Sequence, residues 1–252
     1  MRNRCLAVVI GWWLVVLTSA SLSAAVRTET VSLRSGDQTV SAYLAAPAGA
    51  GPRPAVVVIH EWWGLNDWVK DQVVRFAGEG FVALAVDLYR GKVVYDPNLA
   101  HELSRGLPQD QALRDLEAAF AYLASRPDVS PAKIGSVGWC MGGGFSLLLA
   151  VHEPKLAACV VNYGALPTDK AEMAQIQAPV LGNFGGDDRG IPPSAVQAFE
   201  QAMKAAGKSV DVKVYDGAGH AFENPNNKLG YREAAATDAW TRTLGFLART
   251  LK

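Results

Sequence analysis

Charge is scarce in this chain and nowhere concentrated. Asp, Glu, Lys and Arg make up 19% of the 252 residues, with 24 basic residues against 24 acidic. No stripe or run of Lys and Arg offers the electrostatic footprint that nucleic acid requires. Cysteine is scarcer still, at three residues, Cys5, Cys140 and Cys159. That is no disulfide framework, although one bridge between Cys140 and Cys159 stays open on count alone. With no C-x-x-C pair and no His/Cys cluster, no metal site is expected. Internal repeats, low-complexity tracts and a second-domain linker are also missing, which points to one domain without a large lid.

The one extended apolar run that stands outside this pattern is Leu6 to Leu17. Arg2 and Arg4 precede it, and the small, polar stretch Thr18 to Ala25 follows. That is the layout of a secretory signal peptide, with cleavage after Ala25, Ser23 or Ala24. The run is short of the about 20 residues that span a bilayer, so residues 1–25 are read as a cleaved signal. Residues 26–252 then form the exported domain, periplasmic or secreted, with no stable membrane insertion.

Two alternating segments, Thr28 to Leu33 and Gln38 to Ala45, flank Ser35-Gly36-Asp37 and read as an antiparallel hairpin. Beyond Pro54 the pattern changes to apolar runs at Ala55–Ile59, Phe81–Val86, Ile134–Gly138, Ala157–Tyr163, Val180–Phe184 and Val210–Tyr215. Uninterrupted apolar strands suit a parallel sheet covered on both faces. The stretches Asp110–Ser125, Ser194–Ala206 and Tyr231–Leu251 carry helical spacing. This alternation predicts a doubly wound α/β domain.

In such sheets ligands bind beyond the carboxyl ends of the strands, and four segments place reactive residues there. Gly138-Trp139-Cys140-Met141-Gly142 has the glycine spacing of a nucleophile elbow, with cysteine as the nucleophile. Asp187 and Asp188 follow the Val180 run, His220 follows the Val210 run, and His60-Glu61-Trp62-Trp63-Gly64 follows the Ala55 run. Nucleophile, acid, histidine is the chain order of α/β-hydrolases. Asp87, after the Phe81 run, reads as a turn cap. His101 and His152, on expected helices without partners, read as structural or exposed.

At residue level the chain resembles the dienelactone hydrolase family, within the α/β-hydrolase fold. The resemblance rests on His60–Asn66, Asp87-Leu88-Tyr89, Gly138–Gly143, Gly185–Asp188 through Pro192, and Gly217–Phe222. It implies Cys140 as nucleophile, His220 as base and Asp188, four residues before Pro192, as the acid. It also implies that Glu61 contacts the resting cysteine and opposes the thiolate until substrate arrives. The implied reaction is opening of a dienelactone to maleylacetate through a thioacyl-enzyme, with a small ester or lactone as substrate and no metal or organic cofactor. The alternatives are a carboxylesterase of other substrate range and a non-catalytic exported binding or thiol-sensing protein.

The same roles follow from chemistry. A thiol is strongly nucleophilic as thiolate, which a paired histidine makes accessible, and a carboxylate fixes the histidine. The oxyanion needs two N–H donors, for which the backbones of Met141 and Trp62 are the natural pair. Arg90 stands close to where the family carries a carboxylate-binding arginine, one residue short of that spacing, and also fits a surface arginine after a strand. Trp62, Trp63, Trp139 and Phe222 are candidate walls of an apolar pocket, or equally core residues. Ala221 departs from the family, which often has a hydroxyl residue after the histidine.

Overall fold

In the computed structural model, which describes residues 25–49, 51–167 and 169–252, one sheet organises the domain. Residues 1–24, with nearly all of the expected signal peptide, lie outside the described residues. The hairpin is β1 (Val26–Ser35) and β2 (Gln38–Pro47), paired from Val26↔Pro47 to Ser35↔Gln38. It is followed by β3 (Arg53–Ile59), β4 (Val82–Val86), β5 (Val129–Trp139), β6 (Ala158–Asn162), β7 (Val180–Gly185) and β8 (Val210–Tyr215). The order across the eight-stranded sheet is β1-β2-β4-β3-β5-β6-β7-β8. β2 joins β4 antiparallel, and every pairing from β4 to β8 is parallel.

The helices are α1 (Asp67–Gly78), α2 (Pro97–Gly106), α3 (Gln109–Ser125), α4 (Met141–His152), α5 (Lys170–Gln175), α6 (Pro193–Ala205) and α7 (Glu233–Leu251). Strand side chains alternate between faces, so β3 splits its apolar run. Ala55, Val57 and Ile59 enter the core under α3, α4 and α6, with Leu116, Leu147 and Phe199. Val56 and Val58 enter the opposite core under α1 and α7, with Phe76 and Leu247. Both faces are dry, which is why the run is continuous. β8 corrects the expectation of another continuous run. It is an edge strand with Asp211 and Lys213 exposed, and alternates accordingly.

Candidate active site

The carboxyl ends of β3, β5, β7 and β8 gather the expected residues. Cys140 sits between β5 and α4 at φ 54°, ψ −119°, a conformation that costs a non-glycine residue about 1–3 kcal/mol. Two glycines permit it. A Cβ on Gly138 would run into the Gly142 carbonyl, and one on Gly142 into the Ile59 carbonyl. With hydrogen there instead, α4 starts directly beneath the thiol and β3 passes alongside. Met141 is the first residue of α4, so its N–H has no acceptor within the helix. Trp62, the other expected donor, lies in the turn after β3 and lines the main cavity. The Met141 side chain lines a smaller groove beside α4.

Three side chains form a hydrogen-bonded row. Asp188 Oδ2 lies 2.7 Å from His220 Nδ1, and His220 Nε2 lies 3.1 Å from Cys140 Sγ. Asp188 Oδ1 accepts from the backbone N–H groups of Gly190 and Ile191, at 2.9 and 3.1 Å. Burial by itself would raise the Asp188 carboxyl, but the bond and charge of His220 and the two backbone donors hold it below its ordinary value. His220 is the mirror case. Burial would lower the imidazole, while its bonds to Asp188 and Cys140 and their charges push it up to about 10. The acid and histidine loops are laced together by Gly186 N–H to Tyr215 O and Asp187 N–H to Ala218 O. Asn227 Nδ2 donates to the carbonyls of His220 and Ala221, steadying Ala221 at φ 55°.

Glu61 is 1% exposed and its carboxyl goes elsewhere than the resemblance implies. It accepts from Asn224 Nδ2 at 2.6 Å and Tyr163 OH at 3.4 Å, while the hydrogen bond of Cys140 Sγ goes to His220. Burial drives the Glu61 carboxyl up to about 7, against the bonds from Asn224 and Tyr163 and the charge of His220. Tyr163, itself at φ 40°, meets the His220 ring edge-on at 5.3 Å. Sequence reasoning missed Tyr163 and Asn224. Neither carried a distinguishing signal: Asn224 is one of several polar residues between Glu223 and Lys228, and Tyr163 looked like the end of a strand. Glu223, on the same loop, receives a 3.1 Å bond from Trp139 Nε1. Burial first and the charge of Glu61 next drive its carboxyl up to about 8.

Other expectations need correction. Arg90 does not line the cavity. Its guanidinium makes a two-point contact with Asp115 of α3, at 2.7 and 3.0 Å, and the Asp115 side chain is fully buried. That carboxylate already fills the fork the substrate would have used. Trp139 and Phe222 are buried core residues, at 1% and 0% exposure. Strand alternation that turns Cys140 to the cavity turns Trp139 onto Trp68, 5.3 Å away. Phe222 packs on Tyr163 and Tyr215, at 5.5 and 5.0 Å. Trp62 and Trp63 do line the cavity, at 5.1 Å from one another. Asp87 caps its turn, accepting from Tyr89 and Gly91 N–H. Cys140 and Cys159 are both free thiols. Cys159, buried and bonded to Ser146, is pushed up to about 11 by burial.

The cavity over Cys140 and His220 has a volume of about 790 Å³ and is walled by Trp62, Trp63, Trp68 and Tyr95 on one side and by the loop Ala221–Leu229 on the other. A thiol paired to an imidazole, at the base of a cavity and beside a helix N-terminus, is suited to acyl transfer.

The sequence pattern of the Dienelactone hydrolase family matches residues 40–251. A protein of Methylorubrum extorquens provisionally named carboxymethylenebutenolidase is 36% identical over 220 residues, covering 82% of this chain and 75% of its own. A Bradyrhizobium protein provisionally named 2-oxo-3-(5-oxofuran-2-ylidene)propanoate lactonase is 33% identical over 230 residues, covering 86% and 92%. The crystal structure of a dienelactone hydrolase-like promiscuous phosphotriesterase from metagenomic libraries superposes with a TM-score of 0.84 at 27% identity, covering 90% of this chain and all of the other. The chain belongs to the dienelactone hydrolase family and is a carboxylic ester hydrolase of that type.

Proposed function

We propose that this protein opens esters or lactones by covalent catalysis at Cys140, with His220 as proton carrier and Asp188 as its orienting acid. The observation that carries the reading is the unbroken row from Asp188 through His220 to Cys140 Sγ at the floor of the cavity. Because Nδ1 of His220 donates to Asp188, Nε2 faces the sulfur and can hold or release one proton there. The Cys140 thiolate adds to the carbonyl carbon, and the electron pair moves onto the carbonyl oxygen. The Met141 and Trp62 backbone N–H groups are the donors available for that oxyanion, each worth about 3 kcal/mol where such a donor has been removed. Collapse expels the alkoxide, which takes the proton from His220 Nε2 and leaves a thioester. Water then gives its proton to Nε2 as it adds to the thioester carbonyl. Departure of the thiolate releases the acid and restores the pair.

Glu61 enters as a positioning residue. It ties Tyr163, which borders His220, to Asn224, on the loop that carries His220. The dienelactone-to-maleylacetate reaction is one candidate substrate pair. A carboxylesterase of other substrate range is the second, and the engagement of Arg90 by Asp115 favours it, since the carboxylate anchor is taken. Export with removal of the first 25 or so residues belongs to the same reading. It is tested by the N-terminal mass of protein recovered from the periplasmic fraction.

The deciding experiment is a panel of lactones and aryl esters given to the wild type and to Cys140→Ala. The wild type should turn over at least one compound and, after acid quench, carry its acyl group as a mass increase on Cys140. Cys140→Ala should lose about 10,000-fold or more in kcat. Folded wild-type protein without turnover on any of them defeats the proposal.

A further inference from the structure

We infer that this cavity takes an uncharged ester or lactone whose aromatic or other apolar group lies against Trp63, Tyr95 and Leu229, rather than one bearing a carboxylate. The inference rests on the acyl-transfer reading and deepens it by naming the substrate class.

Charge is the first argument. Among the described residues, the acidic and basic side chains facing the cavity, beyond Cys140 and His220, are Glu61, Asp67 and Lys228. The thiolate, the imidazolium and Asp188 together carry a net negative charge, so a second anion brought to the sulfur is repelled. Asp67 adds a further negative charge at the mouth, partly countered by Lys70 at 3.4 Å. Lys228 is the one lysine or arginine that lines the cavity among the described residues. It is exposed at the rim, where an ion pair is hydrated and screened. Arg90, the side chain expected to receive a carboxylate, is held by Asp115.

Hydrogen-bond capacity is the second. A neutral site can still bind a carboxylate through free amide donors. Of the four amides that line the cavity among the described residues, Asn66, Asn224, Asn226 and Asn227, two on the histidine loop are already committed. Asn224 donates to Glu61 and accepts from Asn226 N–H. Asn227 donates to the carbonyls of His220 and Ala221 and accepts from Gly230 N–H.

An apolar wall points the same way. Trp62 and Trp63 face the cavity with their rings half-exposed. At the mouth, Tyr95 is 79% and Leu229 is 91% exposed. Among the described residues four large apolar side chains are exposed, and two of them, Tyr95 and Leu229, flank the route to the thiol. An aromatic acyl or alcohol group entering between them regains the contact area that water now occupies.

Two pairs of esters test this. p-Nitrophenyl levulinate and p-nitrophenyl hemisuccinate share size and leaving group and differ in carboxylate charge. The wild type should favour the neutral ester by about a hundredfold in kcat/KM, the scale of leaving one charge without a buried partner. K228A should shift that ratio by less than about fivefold. p-Nitrophenyl phenylacetate against p-nitrophenyl acetate reads the wall. Trp63→Ala should cut kcat/KM about tenfold for the phenylacetate and less than threefold for the acetate, chiefly through KM, with Trp63→Phe restoring most of it. Equal or faster turnover of the hemisuccinate overturns the substrate class alone, and selective loss of that hemisuccinate turnover in K228A would make Lys228 the anion anchor. Equal losses on both acyl groups in Trp63→Ala overturn the wall. Turnover of none of the four esters by the folded wild type overturns the acyl-transfer reading itself.

Discussion

Replacing Glu61 by glutamine should change how the stability of this protein depends on pH. Glu61 is shut away from water among Tyr163, Asn224 and His220, and burial raises its carboxyl from 4.5 to about 7. A group whose folded value lies above its unfolded value holds its proton in the native state after the unfolded chain has lost it. Stability therefore falls as pH rises through the interval between the two values. From pH 5 to pH 8 the difference in proton binding integrates to roughly two pH units, or about 2–3 kcal/mol. Glutamine keeps the shape, accepts from Asn224 through its oxygen and carries no charge to bury. In paired urea titrations, the stability of Glu61→Gln relative to wild type should rise by about 2–3 kcal/mol from pH 5 to pH 8, with unchanged m-values. Glu223, raised in part by Glu61, relaxes in the variant and moves the offset in the same direction. An offset that stays flat within about 0.5 kcal/mol would mean that the native state binds no extra proton at Glu61, and the reasoning fails.

Arg90→Ala should cost about 2–3 kcal/mol, because it strands the buried Asp115 carboxylate. Its kcat/KM on a neutral aryl ester should stay within about threefold of wild type. A stable variant that fails selectively on anionic esters would restore Arg90 to substrate binding. Asp188→Asn should lower kcat by about 100-fold or more at an unchanged fold, because an amide can donate to Nδ1 and so place the ring proton on Nε2; a drop of less than tenfold contradicts the assignment. Gly142→Ala should lose about 3 kcal/mol or fail to fold, since the added methyl meets the carbonyls of Ile59 and His60. A normal melting temperature would show that β3 can yield there.

Local chemistry made much of the fold readable, because each parallel strand buries both faces and so writes a plain apolar run. The hairpin was equally plain, since β1 faces solvent along one side and alternates. Strand order was not readable. Nothing in Val82–Val86 says that it inserts between β2 and β3, because register between distant segments is set by packing. The residues at Cys140, Asp188 and His220 were legible because strain and loop geometry leave glycine, proline and order as traces. Residues joined only in space were missed or misplaced. Arg90 needed its distant partner Asp115, and Glu61 needed Asn224, 163 residues away. Trp139 and Trp63 are the same residue type beside functional groups. Only the direction a strand or a turn gives them separates core from cavity wall.

The chain order of the strands also sets when Cys140 meets His220. Cys140 leaves the ribosome well before His220, and β8, which delivers the histidine loop, is the last strand to be made and sits at the sheet's edge. Domains assemble as synthesis proceeds, so the growing chain carries a cysteine with no base beside it. An ordinary thiol reacts slowly with carbonyl compounds and oxidants. On the proposed acyl-transfer reading, attachment of the final strand arms Cys140 only in a finished domain, and a chain that stops short of residue 220 keeps an ordinary, slowly reacting thiol.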